Sequence, residues 1–421
     1  MEGMKTPLLY RCCLPAVLLM AGTARGDMLL GGAGSARGGE ALPTVMNPAL
    51  STTVHGSAVG GEASFAQVQR KIRLPGYDAT ETTTTSPGLP SWAFAMTRGR
   101  LGFSVANGLP PLPARDVSIR NTPFLILGQQ EKIDIDARVT PKGSFTLGAG
   151  WKPLPRLSIG LSWSYLAADA AVQISSSDSG TVLANISGSM TSTRLLAGIH
   201  ATTGRRFSMA AVLQILGENK LDLESDVSTG SALESSGGQP PLLSRGLLIG
   251  SRYRGRSFTL LTDITYRAAD AGATRFSMVD LREKPLDNED MLALRAGAII
   301  RLSRSRSLLL GLDITPSAIG QGSQGEDGTT GYGQFDVGLN PLQESGPYRQ
   351  ASVGMQIRRY RKAPRRRGKR RKAPAAPLHW QVQTGLVYRY SSVGIDEDGE
   401  QPAAYLIRTL MVPVRLEWYF R

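Results

Sequence analysis

Along 157–165 the odd positions hold Leu157, Ile159, Leu161, Trp163 and Tyr165, while the even positions hold Ser158, Gly160, Ser162 and Ser164. A period of two marks an extended strand with one apolar and one polar face. The same pattern returns at Phe145, Leu147, Ala149 and Trp151, and at Phe207, Met209, Ala211, Leu213 and Ile215. It continues through Phe258, Leu260, Ile264 and Tyr266; Leu292, Leu294, Ala296, Ala298 and Ile300; and Leu308, Leu310, Leu312 and Ile314. Val382, Thr384, Leu386, Tyr388 and Tyr390 follow, then Leu410, Val412, Val414, Leu416, Trp418 and Phe420. A chain written this way folds as a large set of two-faced strands.

A water-soluble sandwich would alternate too, and the connections separate the two cases. Short turns join strands within pairs, at 152–156 (KPLPR), 203–206 (TGRR), 254–256 (RGR) and 303–305 (SRS). Longer polar stretches join one pair to the next, near 169–190, 217–242, 268–290, 316–348 and 392–403. Short turns at one end and long loops at the other describe a transmembrane β-barrel with its turns facing the periplasm. A closed wall is required in lipid, because an open edge would leave backbone groups unpaired there. The charged fraction, 19%, is below the roughly 25% usual in soluble domains. No apolar run reaches about 18 residues, so a helical span is not expected.

The pattern predicts fourteen strands, near 58–74, 91–97, 100–107, 143–151, 156–168, 191–203, 206–216, 243–254, 256–267, 291–302, 306–315, 349–360, 378–391 and 405–420. An even number puts both ends of the wall on one side. The segment 132–140 (KIDIDARVT) also alternates and belongs either to a further strand or to an outer loop. Trp151, Tyr165, Tyr266, Tyr388, Tyr390 and Trp418 sit at strand ends, where barrels carry interfacial aromatic girdles.

At the amino terminus, Lys5 and Arg11 precede a short apolar stretch and then small residues. That order is expected of a secretory signal peptide, 1–26. Both cysteines, Cys12 and Cys13, lie inside it, so no disulfide, thiolate metal site or cysteine nucleophile is expected in the remainder. The three histidines, His55, His200 and His379, are far apart in sequence. No clustered metal ligands, cofactor motif or catalytic spacing stands out, and a non-enzymatic role without cofactor is expected. His200 alternates with Gly198 and should point inward, where a hydrogen bond in the lumen is its expected role.

The net charge of +14 is local. The run 358–372 holds eleven cations (Arg358, Arg359, Arg361, Lys362, Arg365, Arg366, Arg367, Lys369, Arg370, Arg371 and Lys372), which leaves +3 for the rest of the chain. By parity the run lies on the periplasmic side, where Pro364, Pro374 and Pro377 mark a solvated loop; the functional alternative is contact with an anionic surface, not with nucleic acid. Acids gather in the outer loops, among them Glu218, Asp222, Glu224, Asp226 and Asp396; spaced this loosely they serve to solvate the loops, or alternatively share divalent cations with lipopolysaccharide phosphates.

Three stretches carry a family resemblance. GGAGSARGGEALPTVMNPAL at 31–50 closes on Asn47, Pro48 and Ala49; KGSFTLGAGWKPLPRLSIGLSWSY covers 142–165; PSWAFAMTRGRLGFSVAN covers 90–107. Together they resemble the FadL/TodX-type outer-membrane transporters of long-chain fatty acids and other hydrophobic compounds. The chain departs from the pattern in a shorter Gly/Ala stretch and in ending on Arg421 after Phe420. The resemblance implies a fourteen-stranded barrel (58–421) in the Gram-negative outer membrane, with a lumenal hatch (27–57) built around the Asn47-Pro48-Ala49 motif. It also implies passive capture of a hydrophobic small molecule in an extracellular groove and passage past the hatch. The expected partners are that ligand, outer-membrane lipids and lipopolysaccharide, and the barrel is expected to be monomeric.

Outer loops at 108–141 and 217–242 carry Leu109, Leu112, Phe124, Leu125, Ile126, Leu127 and Leu242. These side chains are available to line a capture groove, or to pack against one another. By alternation Arg295, Arg301, Asp263, Asp313, Arg415 and Glu417 face the lumen. Mutual pairing is the ordinary state of such charges, and Arg295 is the candidate for a bidentate grip on a fatty-acid carboxylate. The rival expectation is a structural or adhesive outer-membrane barrel without a transported ligand.

Overall fold

Fourteen antiparallel strands make the wall. They are β1 (Ser57–Arg73), β2 (Ser91–Arg98), β3 (Leu101–Ala106), β4 (Gln129–Leu154), β5 (Leu157–Ser176), β6 (Val182–Thr203) and β7 (Phe207–Val227). The circuit continues with β8 (Gly246–Arg254), β9 (Phe258–Arg267), β10 (Met291–Arg301), β11 (Arg306–Thr315), β12 (Tyr348–Tyr360), β13 (Leu378–Ile395) and β14 (Ala403–Phe420). The computed structural model describes residues 28–30, 33–73, 80–87, 90–107, 116–126, 129–227, 233–236, 246–267, 274–276, 283–285, 291–315, 348–360, 378–395 and 403–420. The expected leader at 1–26, the basic residues 361–372 and Leu109, Leu112, Leu127 and Leu242 lie outside them.

Each strand pairs with its neighbour in sequence, and β1 closes on β14 in a continuous register from Ser57 opposite Phe420 to Arg73 opposite Ala404. All fourteen predicted segments are strands of this ring. The segment 132–140 adds no stave. It is the outer half of β4, which pairs there with a short outer strand at Asp116–Ile126 while its inner half pairs with β3. Pro141 lacks an amide hydrogen and lies at the shift in β4–β5 register between Pro141 and Gly143. A bulge is where a sheet tolerates proline, and it splits one long strand into two apparent pieces in the sequence. Two further strands, Thr80–Pro87 on β1 and Leu233–Ser236 on β7, extend the loop end in the same way.

Alternation sorts side chains as expected. Leu161, Leu213, Ile249, Leu260, Leu294, Leu312, Val353, Leu386 and Val412 point outward and are exposed, which only a hydrocarbon surrounding makes favourable. Trp151 and Trp418 stand on the outside near the turn end, and Tyr266, Tyr388 and Tyr390 nearer the loop end. The inward set is polar: Ser158, Ser162, Ser208, Thr265, Gln350, Gln356, Gln381, Gln383 and Thr409 are all buried. The fold is a transmembrane β-barrel whose inner face is largely polar, with an apolar patch at Leu261, Leu309, Val387 and Met411.

Candidate functional site

Inside the barrel lie the chain's own residues 28–30 and 33–56, which lack strand periodicity and do not join the wall. Prolines organise them instead. Pro43 and Pro48 open short 3-10 turns at Leu42–Val45 and Pro48–Thr53, where a missing amide hydrogen costs nothing. A third turn covers Met28–Leu30.

Asn47 caps the Pro48–Thr53 turn and ties it to its surroundings. Its Oδ1 accepts from the Ala49 amide at 3.1 Å, and its Nδ2 donates to the carbonyls of Ser35 at 3.0 Å and of Ile199 on β6 at 3.3 Å. The Asn47-Pro48-Ala49 triplet therefore joins both halves of the inserted segment to the wall. Its neighbours add to the grip: Thr52 Oγ1 donates to Ser158 Oγ at 2.7 Å and Thr97 Oγ1 to the Ser51 carbonyl at 2.6 Å.

The wall makes room with glycine. A methyl group on Gly160 would lie 2.6 Å from the Ala49 nitrogen, and one on Gly150 would lie 3.0 Å from the Pro48 carbonyl. Gly198 faces Asn47 and Pro48 in the same manner. Around the circuit, Leu30 lies on Gly297, and Leu29 on Gly354 and Gly385. Leu29 and Leu30 pack there with Met28, Leu261, Leu309, Val387 and Met411. Burying each leucine stabilises the seat by about 1.5–3 kcal/mol.

Two charged anchors complete the seat. Asp263 on β9 accepts hydrogen bonds from the Gly34 amide at 2.9 Å, the Ser35 amide at 3.0 Å and Ser35 Oγ at 2.8 Å. Across the lumen, Glu40 accepts from Arg37 Nη2 at 2.6 Å and from Arg415 Nη2 at 2.8 Å. Arg415 also reaches Glu417 at 3.0 Å, and Glu417 accepts from Gln381 at 2.8 Å, Tyr419 at 2.6 Å and the Ala41 amide at 3.2 Å. Burial pushes the Glu40 carboxyl up, but Arg37 and then Arg415 outweigh it and hold it at about 2.

Arg295 faces inward and is buried, with Nε 3.2 Å from Asp313 Oδ2 and Nη1 3.3 Å from Thr265 Oγ1. Arg301 is exposed at the turn end. His200 is inward and buried as expected, but its Nε2 finds no hydrogen-bond partner among the described residues. Phe124, Leu125 and Ile126 end the outer strand Asp116–Ile126. Among the described residues no group of three or more His, Cys, Asp or Glu is placed to hold a metal ion.

On the lipid side an apolar hollow of about 520 Å³ spans β2 to β6, lined by Phe94, Phe103, Val105, Leu147, Leu161 and Trp163. Ser104, Gly148 and Ser162 form its floor, and Pro48 lies directly behind Gly148, 3.8 Å from the position of a methyl there. Ser104 Oγ lies closer still, so small side chains line the wall here. Sequence alternation located these inward glycines and serines, but gave no sign of what they face.

No protein-family model matches the chain, and no curated protein matches it by sequence. Solved structures do match. The toluene transporter TodX of Pseudomonas putida is 12% identical, with a TM-score of 0.63 over 96% of this chain and 99% of that one. A FadL homologue of Pseudomonas aeruginosa is 10% identical, with a TM-score of 0.61 over 100% of both chains. The toluene transporter TbuX of Ralstonia pickettii is 10% identical, with a TM-score of 0.55 over 96% of this chain and 99% of that one. Ring closure, strand number and whole-length superposition agree: this chain has the fold of the FadL/TodX-type outer-membrane transporters.

Proposed function

We propose that the chain is a channel of the Gram-negative outer membrane for passive uptake of hydrophobic small molecules, long-chain fatty acids or aromatic hydrocarbons, with residues 27–57 as its hatch. One observation carries this reading: the inserted segment lies behind a stretch of wall built from small residues, Ser104, Gly148 and Ser162, whose outer side is the apolar hollow. In this reading a ligand leaving past the hatch parts the wall at Ser104, Gly148 and Ser162 and then meets the apolar side chains of the hollow. The neighbours' names support the ligand class, since they are toluene transporters and a FadL homologue. In this reading Leu109, Leu112, Phe124, Leu125, Ile126, Leu127 and Leu242 line the capture groove. Arg295 exchanges Asp313 for the carboxylate of a fatty acid.

A second reading has its own observation. Leu29, Leu30, Ala49 and Leu50 are almost completely buried and the polar anchors ring the lumen, as a structural or adhesive barrel with a fixed filling would have. Uptake decides between them. Cells lacking their own hydrophobe channels and displaying this barrel should take up labelled oleate or toluene several-fold faster than cells with empty vector. Equal rates, with the folded barrel verified by its heat-dependent gel mobility, would leave the structural reading.

A further inference from the structure

At the turn end, between the inserted segment and the wall, a cavity of about 270 Å³ is lined by six arginines: Arg37, Arg252, Arg254, Arg256, Arg301 and Arg358. That volume is large against the roughly 30 Å³ share of a single water molecule. The one carboxylate on its lining is Glu40, and both Glu40 oxygens are engaged, by Arg37 and by Arg415. Among the described residues no carboxylate is in ion-pair contact with Arg252, Arg254, Arg256, Arg301 or Arg358, although the Glu40 charge acts on Arg252 and Arg358 from across the cavity. Arg252 Nε is buried without a hydrogen-bond partner. Arg358 gives its Nε to Gln381 Oε1 at 3.4 Å and is also the first cation of the run 358–372.

Like charges converging on a concave, partly water-excluded site raise its potential and concentrate counter-ions of opposite sign. Guanidinium groups do this with directional, often bidentate, contacts that suit carboxylate and phosphate oxygens. Gln381, Tyr360 and Tyr419 add polar groups around the same space. Arg37 on the same lining is buried and held by Glu40 Oε1.

We propose that this cavity is an oxyanion-binding site, holding one carboxylate or phosphate group against Arg252, Arg301 and Arg358. The site stands on its own arginines and does not depend on transport. Its ligand comes either from solution or from the headgroup of an inner-leaflet phospholipid, and the two sources are separable.

The test is calorimetric titration of the full chain in neutral detergent at low salt, with inorganic phosphate as probe. Saturable binding with one site is expected, weakening at least tenfold in Arg252→Gln/Arg301→Gln. Arg156→Gln/Arg206→Gln, which removes turn-end cations outside the cavity, should leave affinity unchanged. All variants are checked for folding by heat-dependent gel mobility. Absence of saturable binding by wild type, or equal loss in both double variants, would overturn the proposal, the latter by reducing it to diffuse rim charge. Competition by decanoate extends the site to carboxylates. If phosphate binding is lost in nanodiscs containing phosphatidylglycerol but kept in phosphatidylcholine alone, the headgroup is the source; if it is kept in both, the ligand comes from solution.

Discussion

Glu40 Oε2 and Arg415 Nη2 meet at 2.8 Å inside the barrel, joining a residue ahead of the first strand to one in the last. The contact is buried and hydrogen-bonded on both sides, with Arg37 on the same carboxylate and Glu417 on the same guanidinium. Removing one member of a buried ion pair leaves its partner uncompensated and costs about 3–5 kcal/mol. Glu40→Ala is therefore expected to loosen the inserted segment from β14 without opening the wall. Planar-bilayer recordings should show larger or noisier conductance for Glu40→Ala than for wild type, at unchanged gel mobility. A silent Glu40→Ala barrel would mean that the apolar seat alone holds the segment.

The same carboxyl sets a pH dependence. Its ordinary value is 4.5 and in the folded barrel it lies at about 2. A depressed acid contributes its stabilisation fully above the ordinary value, and that contribution is lost as pH falls through the folded one. Anchorage should be flat near neutrality and weaken between pH 4.5 and about 2. Conductance measured across that window should rise on acidification in wild type and stay level in Glu40→Gln.

The glycine floor predicts a position-specific steric effect. Ala at Gly160 places a methyl 2.6 Å from backbone atoms of Pro48 and Ala49, which cannot rotate away. Overpacking of this kind costs about 1–3 kcal/mol. Gly160→Ala should expose residues 28–56 to added protease, whereas Gly143→Ala, whose methyl meets nothing within 4 Å, should not.

Outward positions should respond to charge and not to size. Leu312 lies mid-strand in β11 and is 46% exposed to the surroundings. Arginine there should destabilise the barrel by about 2–4 kcal/mol, the depth-dependent cost of a cation at the bilayer midplane. Urea unfolding in lipid vesicles of Leu312→Arg, compared with Leu312→Phe, measures the difference.

The Arg295 proposal has a direct check. Its guanidinium is held by Asp313 and Thr265, so a ligand carboxylate must compete with Asp313. Arg295→Gln should weaken oleate binding to the purified barrel several-fold and leave toluene binding as it was. Equal affinities for oleate would confine Arg295 to wall stability.

The wall was legible because each strand declares itself locally. Leu157 to Tyr165 alternate whatever lies across from them, and the short turns and long loops give the parity of the ring. The 132–140 segment was ambiguous only because Pro141 interrupts β4 without ending it. The lumen was less legible. Residues 28–56 have no period, and their partners are distant in sequence: Asp263 lies 229 positions from Gly34, and Glu417 lies 376 from Ala41. Gly150, Gly160 and Gly198 alternate with apolar residues in the sequence, yet only the fold shows the Pro48, Ala49 and Asn47 atoms that press on them.

The order in which the chain is made gives the Glu40–Arg415 contact a consequence for assembly. Residues 28–56 are synthesised before any wall strand, while Arg415, Glu417 and Tyr419 belong to the wall strand made last. Until β14 docks on β1, the early segment lacks its charged counterpart, and the final stave lacks the acid that neutralises its buried guanidinium. Completing the cylinder and seating its core thus reward each other, so a barrel truncated before β14 should hold neither.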